Sequence, residues 1–253
     1  MLVRRSIALS WLLGLPIVTD TWAQQSPTKF AVELEGGATW QSYNDVQIPN
    51  EPQATRFSLR KLAGSGPWPS GRVYLTWQPG RRHELRLLLA PFTLTETGVP
   101  QAPISFAGAS YVAGRPIEAT YTFNSYRLTY RYRVHEGGRT TAWIGLTAKI
   151  RDALIALEQD GTTSRKDDLG FVPLVHLAGE WRVAPGWHLS LDADAVAGGP
   201  GRAEDVALKF GHDLGRRWTV AAGYRMVEGG ADVDAVYTFA WLHSAVVSIT
   251  RSW

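Results

Sequence analysis

Cysteine is absent from the 253 residues. That excludes disulfides, thiolate metal sites and a lipid anchor on an N-terminal cysteine, so stability must come from backbone pairing and packing. Beyond the first two dozen residues, no run approaches the ~18 continuous apolar residues of a transmembrane helix. Neither sign of charge is in marked excess. The 26 basic and 23 acidic side chains give a formal net charge of +3, a balance that does not suggest a nucleic-acid partner. The chain also lacks a Gly-x-Ser-x-Gly elbow and a His-Glu-x-x-His pair, two common signatures of hydrolases.

The N-terminus carries a leader. Arg4 and Arg5 precede an apolar stretch over residues 7–18, and Thr21-Trp22-Ala23 offers small residues at the −3 and −1 positions. This reads as a secretory signal peptide, residues 1–23, cleaved after Ala23, with residues 24–253 as one domain. Loss of Arg4, Arg5 and Asp20 with it lowers the net charge by one.

The rest of the chain alternates with period two. Phe30, Val32, Leu34, Ala38 and Trp40 alternate with Glu33, Glu35, Thr39 and Gln41. Tyr126, Leu128, Tyr130, Tyr132 and Val134 alternate with Arg127, Thr129, Arg131 and Arg133. Trp187, Leu189, Leu191, Ala193 and Ala195 alternate with His188, Ser190, Asp192 and Asp194. Such a pattern puts all apolar side chains on one face of each strand. Four connections are short and rich in turn residues: 79–82, 136–139, 184–186 and 214–217. Between them lie connections at 44–71, 94–116, 160–168, 198–203 and 228–232, several of them longer and more polar. Trp77, Trp181, Trp187, Trp218 and Trp253 fall beside the short turns or at the chain end, where a membrane–water girdle belongs.

The punctuation gives ten strands, near 29–43, 72–79, 83–93, 117–135, 139–159, 169–184, 187–198, 204–214, 217–228 and 233–253. The fold expected is all-β, an antiparallel up-and-down transmembrane barrel of about ten strands. Eight or twelve stay open, because 54–62 has the composition of an extra strand. A soluble barrel of lipocalin type, with the apolar face inward, is the competing architecture.

The last strand carries the most specific feature. Ala245, Val247, Ile249 and Trp253 alternate on one face, and the chain ends on an aromatic ring. This resembles the C-terminal assembly signal of the bacterial outer-membrane β-barrel proteins, with Arg251 departing at a position that is usually apolar. The resemblance implies residence in the cell outer membrane of a Gram-negative envelope. It implies lipid and lipopolysaccharide as surroundings, recognition by the barrel-assembly machinery through the strand ending at Trp253, and a monomer.

With the apolar face to lipid, the other face lines the lumen. Alternation assigns to it Glu33, Glu35, Glu84, His176, Glu180, Asp192, Asp194 and Asp213. It also assigns Arg72, Arg86, Arg127, Arg131, Arg133, Lys149, Arg151, Arg182, Lys209 and Arg225. A ten-stranded lumen is largely filled by side chains, so an occluded, ion-paired interior is expected. The alternative is a narrow path for small anions lined by Arg127, Arg131 and Arg133.

A rim-sited hydrolase of lipid or peptide is the third reading. Its candidates are His176 with Glu180 and the pair Asp192 and Asp194, two carboxylates sharing one strand face. Omptin-type proteases join an acidic pair to an Asp-x-His that this sequence lacks. Service as partners for lumen arginines is the preferred role for Asp192 and Asp194, and a satisfied lumen residue that for His176, so an enzyme is the less favoured reading. His212 and Asp213, adjacent on a strand, point to opposite faces and form no dyad. Asp232 and Asp234 supply too few ligands for calcium, so no metal or cofactor is expected. The long connections 44–71 and 94–116 are therefore the expected seat of function, as a rim that binds an envelope component or an external ligand.

Overall fold

The computed structural model describes residues 30–253. The expected signal segment 1–23 and its cleavage after Ala23 lie outside the described residues. In chain order the elements are β1 (Phe30–Gln47), β2 (Phe57–Ser58), α1 (Leu59–Ala63), β3 (Trp68–Trp77), β4 (His83–Ala90), β5 (Thr93–Gly98), β6 (Ile104–Phe106) and β7 (Ala109–Tyr111). They continue with β8 (Ile117–Gly137), β9 (Thr140–Gln159), β10 (Thr162–Ala184), β11 (Trp187–Gly198), β12 (Gly201–Leu214), β13 (Trp218–Val233) and β14 (Val236–Ser252).

Each long strand pairs antiparallel with its neighbours in sequence, and β14 returns to pair with β1 from Ala31↔Ser252 to Gln47↔Tyr237. The result is a closed barrel of ten strand positions. One of these is shared by β4 and β5, both of which pair with β8. Pro91 falls between them, where a missing N–H breaks the ladder. The ends of β1 and β14 meet beside the short turns, as an even strand number requires.

The alternation is realised with the apolar face outward. Leu146, Val247, Phe171, Val175, Leu177 and Leu128 are all more than half exposed, while the charged face is buried. That inverts the arrangement of a soluble lipocalin-like barrel. A ring of exposed aromatics, Phe30, Trp77, Trp181, Trp187, Trp218 and Trp253, marks the turn end. Arg251 has its reason there: its guanidinium lies over the rings of Trp218 at 5.2 Å and Trp253 at 4.9 Å. A cation over an indole suits the membrane interface as well as an apolar residue does.

Three of the five connections expected at the far end are not long loops. β9 turns into β10 at Asp160-Gly161, β11 into β12 at Gly199-Pro200, and β13 into β14 at Asp234-Ala235. Asp160 at φ 51° and Gly161 at φ 80° supply the two positive-φ positions of a type I′ hairpin. The polar run Ser164–Asp168 is therefore strand, not loop. It stands above the lipid band, where both faces meet water and no alternation is imposed. A strand as long as β8, 21 residues, spans roughly 70 Å at about 3.3 Å per residue and overshoots the ~30 Å hydrocarbon core even when tilted.

The other two connections fold inward. Segment 54–62 is not an additional barrel strand: Phe57 and Ser58 pair briefly with β1 and the chain then turns into α1. Residues 99–116 carry the separate β6–β7 hairpin. Leu59, Leu62, Ile104, Phe106 and Tyr111 from these segments pack with Val46, Ile117 and Leu157 of the barrel wall into one buried apolar cluster. The far end is thus capped from within.

The β1–β14 seam has little slack. A Cβ added at Gly37 would stand 2.5 Å from the Ala245 carbonyl oxygen, well inside van der Waals contact. Gly37→Val is expected to weaken the folded barrel by about 1–3 kcal/mol, read as a lower temperature for loss of the fast-migrating unboiled band on a denaturing gel. An unchanged transition would contradict the closure described here.

Candidate functional site

The buried face of the barrel gathers a continuous ionic layer. Asp205 on β12 is its hub, accepting hydrogen bonds from Arg72 at 2.8 Å, Arg127 at 2.6 Å and Arg225 at 2.5 Å. Glu35 on β1 accepts from Arg225 at 2.8 Å and from Lys209 at 3.0 Å. Lys209 also reaches Glu33, which takes Arg86 at 3.3 Å. Arg86 bonds Asp192, and Arg131 bonds Glu84 with Asp192 3.7 Å away. Arg127 continues to Asp194 at 2.8 Å, whose second oxygen accepts from Thr147 at 2.7 Å and meets His176 Nδ1 at 2.9 Å. Tyr74 is locked in as well: its hydroxyl accepts from Arg225 at 2.8 Å, and Arg86 lies 4.0 Å over its ring.

Six carboxylates thus face six strong bases across the lumen. Nine of the ten strand positions contribute, all but β14, because inward positions recur every second residue. In a space closed to bulk water an unpaired charge is costly, so the layer is stable only if its members satisfy one another. Lys149 is the exception. It is buried beside Arg127 in the register, has no ion pair within 4 Å among the described residues, and rests its ammonium 4.8 Å from the Phe123 ring.

Some expected lumen residues sit outside this layer. Arg133 bonds Glu136 at 3.0 Å near the turn end, and Arg182, 70% exposed, lies 3.8 Å from Glu180 at the same mouth. Asp213 accepts from the Thr219 hydroxyl at 2.9 Å there. Arg151 pairs with Asp168 on the wall above. Glu180 is therefore kept apart from His176. His212 lies against Trp187 with ring centroids 4.2 Å apart, on the face opposite Asp213. Asp232 accepts from Asn50 at 2.8 Å and so helps dock the cap.

Two small voids remain in the lumen. One of about 40 Å³ lies between cap and ionic layer, lined by Arg72, Arg127, Ser70, Ser125, Ser244 and Thr39 among others. The other, about 10 Å³, adjoins His176, Asp192 and Asp194. They have room for a few waters and one water respectively, and His176 Nε2, otherwise without a partner, faces such a need.

No protein-family model matches the chain, and no curated protein matches it. Among solved structures, the outer membrane protease OmpT from Escherichia coli aligns over 90% of this chain and 98% of its own, at 9% identity and a TM-score of 0.52. The fold is that of the outer-membrane β-barrel proteins. Neisserial surface protein A aligns over 88% of this chain and 97% of its own, at 9% identity and a TM-score of 0.38. Ail of Yersinia pestis aligns over 87% and 99%, at 10% identity and a TM-score of 0.39.

Within this barrel the carboxylates and histidine singled out for catalysis are differently placed. His176, Asp192 and Asp194 bring ligand atoms within 4.8 Å of one another, near enough to bridge a cation. Arg86, Arg127 and Arg131 already occupy the carboxylates, however, and would repel one. His176 is 1% exposed, so no polymer or lipid substrate reaches it. Asp205 was left off the expected lumen face although it lies inside the expected strand 204–214. Its signal was available, since it shares the parity of Lys209 and Asp213.

Removing the hub charge should be far more damaging than removing a wall charge. Asp205→Asn leaves Arg72, Arg127 and Arg225 facing one another, and about 3–5 kcal/mol of stability should be lost. Asp167→Asn, on the exposed wall, should leave stability unchanged. Urea titration of the detergent-solubilised barrel compares them, and equal midpoints would show that the ionic layer does not hold the barrel.

Proposed function

We propose that this protein works in the outer membrane as a closed, non-conducting monomeric barrel with a structural or ligand-binding role at its extracellular end. The observation that supports this is the double closure of the lumen, an ionic layer at membrane depth beneath an apolar cap. A solute path would need a continuous water column. The two lumen voids beside the ionic layer hold about 40 Å³ and 10 Å³, far less than a hydrated ion train requires.

In this reading the two long connections serve closure first. What they offer to a partner is the outer surface of the cap together with the wall where β8, β9 and β10 overshoot the bilayer. That wall presents both signs, with Glu118 and Glu158 opposite each other and Arg165, Lys166 and Asp167 in succession. It suits an envelope component or external ligand of mixed charge. Lipid and lipopolysaccharide surround the barrel, and the strand ending at Trp253 is what the assembly machinery would engage after export with the leader removed.

The reading is tested by single-channel recording. The purified protein in a planar bilayer should pass no unitary current, and deletion of residues 50–65 should not open one while the ionic layer stands. Steady conductance by the unaltered protein would overturn the proposal in favour of a narrow anion path.

A further inference from the structure

The outward face carries a second polar constellation that the lumen does not explain. β1, β13 and β14 bring Ser42, Tyr224 and His243 together near the upper edge of the lipid band. Ser42 Oγ is in hydrogen-bond contact with His243 Nε2, and His243 Nδ1 is in contact with the Tyr224 hydroxyl. Ser42 is exposed, and it is the extra residue of a β-bulge, since Gln41 pairs with Leu242 and Tyr43 with Trp241. A bulge re-aims a side chain and is over-represented beside active sites.

The surroundings fit a lipid interface. His243 stands ten residues above Trp253 on one strand. With a rise of about 3.3 Å and a tilt near 40°, that is roughly 25 Å, the height of the apolar band. Trp40, Tyr43 and Trp241 surround it as an upper aromatic belt, and the Trp241 ring lies 5.2 Å from the His243 ring. Trp241 also keeps a buried indole N–H without a partner. One pleat below, the small side chains Ala38 and Ala245 are paired across the seam. Above, Arg202 and Glu228 pair at the headgroup side.

We propose that Ser42, His243 and Tyr224 form an ester-hydrolysing site for acyl chains of lipid in the outer leaflet. A girdle needs only one wet atom per ring. Here the histidine uses both nitrogens, and the serine is displaced from the regular alternation to reach one of them. The Tyr224 oxygen accepts from Nδ1–H and so fixes the tautomer, which leaves Nε2 to accept from the Ser42 hydroxyl. Tyr224 is a positioning residue.

In the reaction Ser42 Oγ attacks the ester carbonyl as its proton passes to Nε2. The carbonyl electron pair becomes an oxyanion on a tetrahedral intermediate. Collapse breaks the ester C–O bond, and the leaving alcohol takes the proton from Nε2. Water, deprotonated by the same nitrogen, then attacks the acyl-serine, releasing the fatty acid and restoring Ser42. One ester and one water yield one acid and one alcohol.

The test uses the full-length barrel in detergent micelles, its fold checked by the heat-dependent gel shift, and a fluorophosphonate probe. The expected result is a covalent adduct on the Ser42 peptide by mass spectrometry. Ser42→Ala should abolish it, and His243→Ala should slow it at least tenfold. Tyr224→Phe removes the acceptor that orients the imidazole and should slow labelling, whereas Tyr224→Gln, which keeps an acceptor oxygen, should restore part of the rate. Equal rates in Tyr224→Phe and the unaltered protein would remove Tyr224 from the site. Fatty-acid release is then measured from phosphatidylethanolamine micelles and from lipopolysaccharide, which separates the two sources of the same acyl ester. A folded barrel that is not labelled, or that is labelled equally in Ser42→Ala, would overturn the proposal, as would release from neither lipid.

Discussion

In hydrocarbon no water is available to the backbone, so every N–H and C=O within the lipid band must find its partner inside the protein. For a chain without a transmembrane helix, that constraint forces the first strand onto the last. Once β1 and β14 have paired, the inward face is cut off from both bilayer and bulk water. Its charges then have nowhere to go except to one another. The three arginines on Asp205 and the shared hold of Glu35 on Arg225 and Lys209 follow from closure. They would be an odd investment in an open sheet. Replacing such a layer with apolar side chains of equal volume is often neutral or stabilising. What the layer adds is register, since a one-residue slip of any strand would turn its charges to lipid.

The same logic accounts for the upper end. Above the lipid band the strands overshoot and alternation is no longer enforced, which is why β9 and β10 run on through polar residues to Asp160-Gly161. Inside that overshoot the barrel has too few charges to fill itself, and two long connections turn in to supply apolar side chains. Tyr111 ties the cap to the wall, its hydroxyl donating to the Leu157 carbonyl at 3.0 Å and meeting Ser164 Oγ at 2.7 Å. Lys149 lies at the boundary of the two fillings, next to Arg127 on one side and Phe123 on the other. Its unpaired burial marks the place where the ionic code ends and the apolar one begins.

Much of this was legible in the sequence, and the reason is the period of two. A strand with lipid on one side and a wet lumen on the other cannot hide its alternation, so the ten strands, the inward parity of Glu35, Arg127, Asp194 and Arg225, and the aromatic ring beside the short turns can all be read from spacing alone. The errors fall where the two-sided environment ends. Residues 160–168 read as a loop because polar strand in water and loop have the same composition. Asp205 is a separate omission: it lies inside the expected strand 204–214 on the parity of Lys209, and spacing alone would have placed it in the lumen. The inward fold of the long connections left no periodic trace, because their apolar residues come from α1 and an eight-residue hairpin whose packing is purely tertiary.

The Ser42 constellation was illegible for a deeper reason. Its members come from opposite ends of the chain and meet only across the seam that closure creates. By parity all three fall on the apolar face, where a serine or a histidine looks like noise among leucines. Nor does period two reveal a bulge. The two polar assemblies of this barrel are thus opposite in kind. The lumen layer has many charges, full mutual satisfaction and no access, which is how a group is kept inert. The outer cluster has one serine, one histidine and one phenol, no opposing charge on any of them, and direct exposure to the acyl chains of the surrounding lipid. Reactivity needs an accessible nucleophile whose base is not already spent on a strong partner. Of the two assemblies, only the one on the outer face meets that condition.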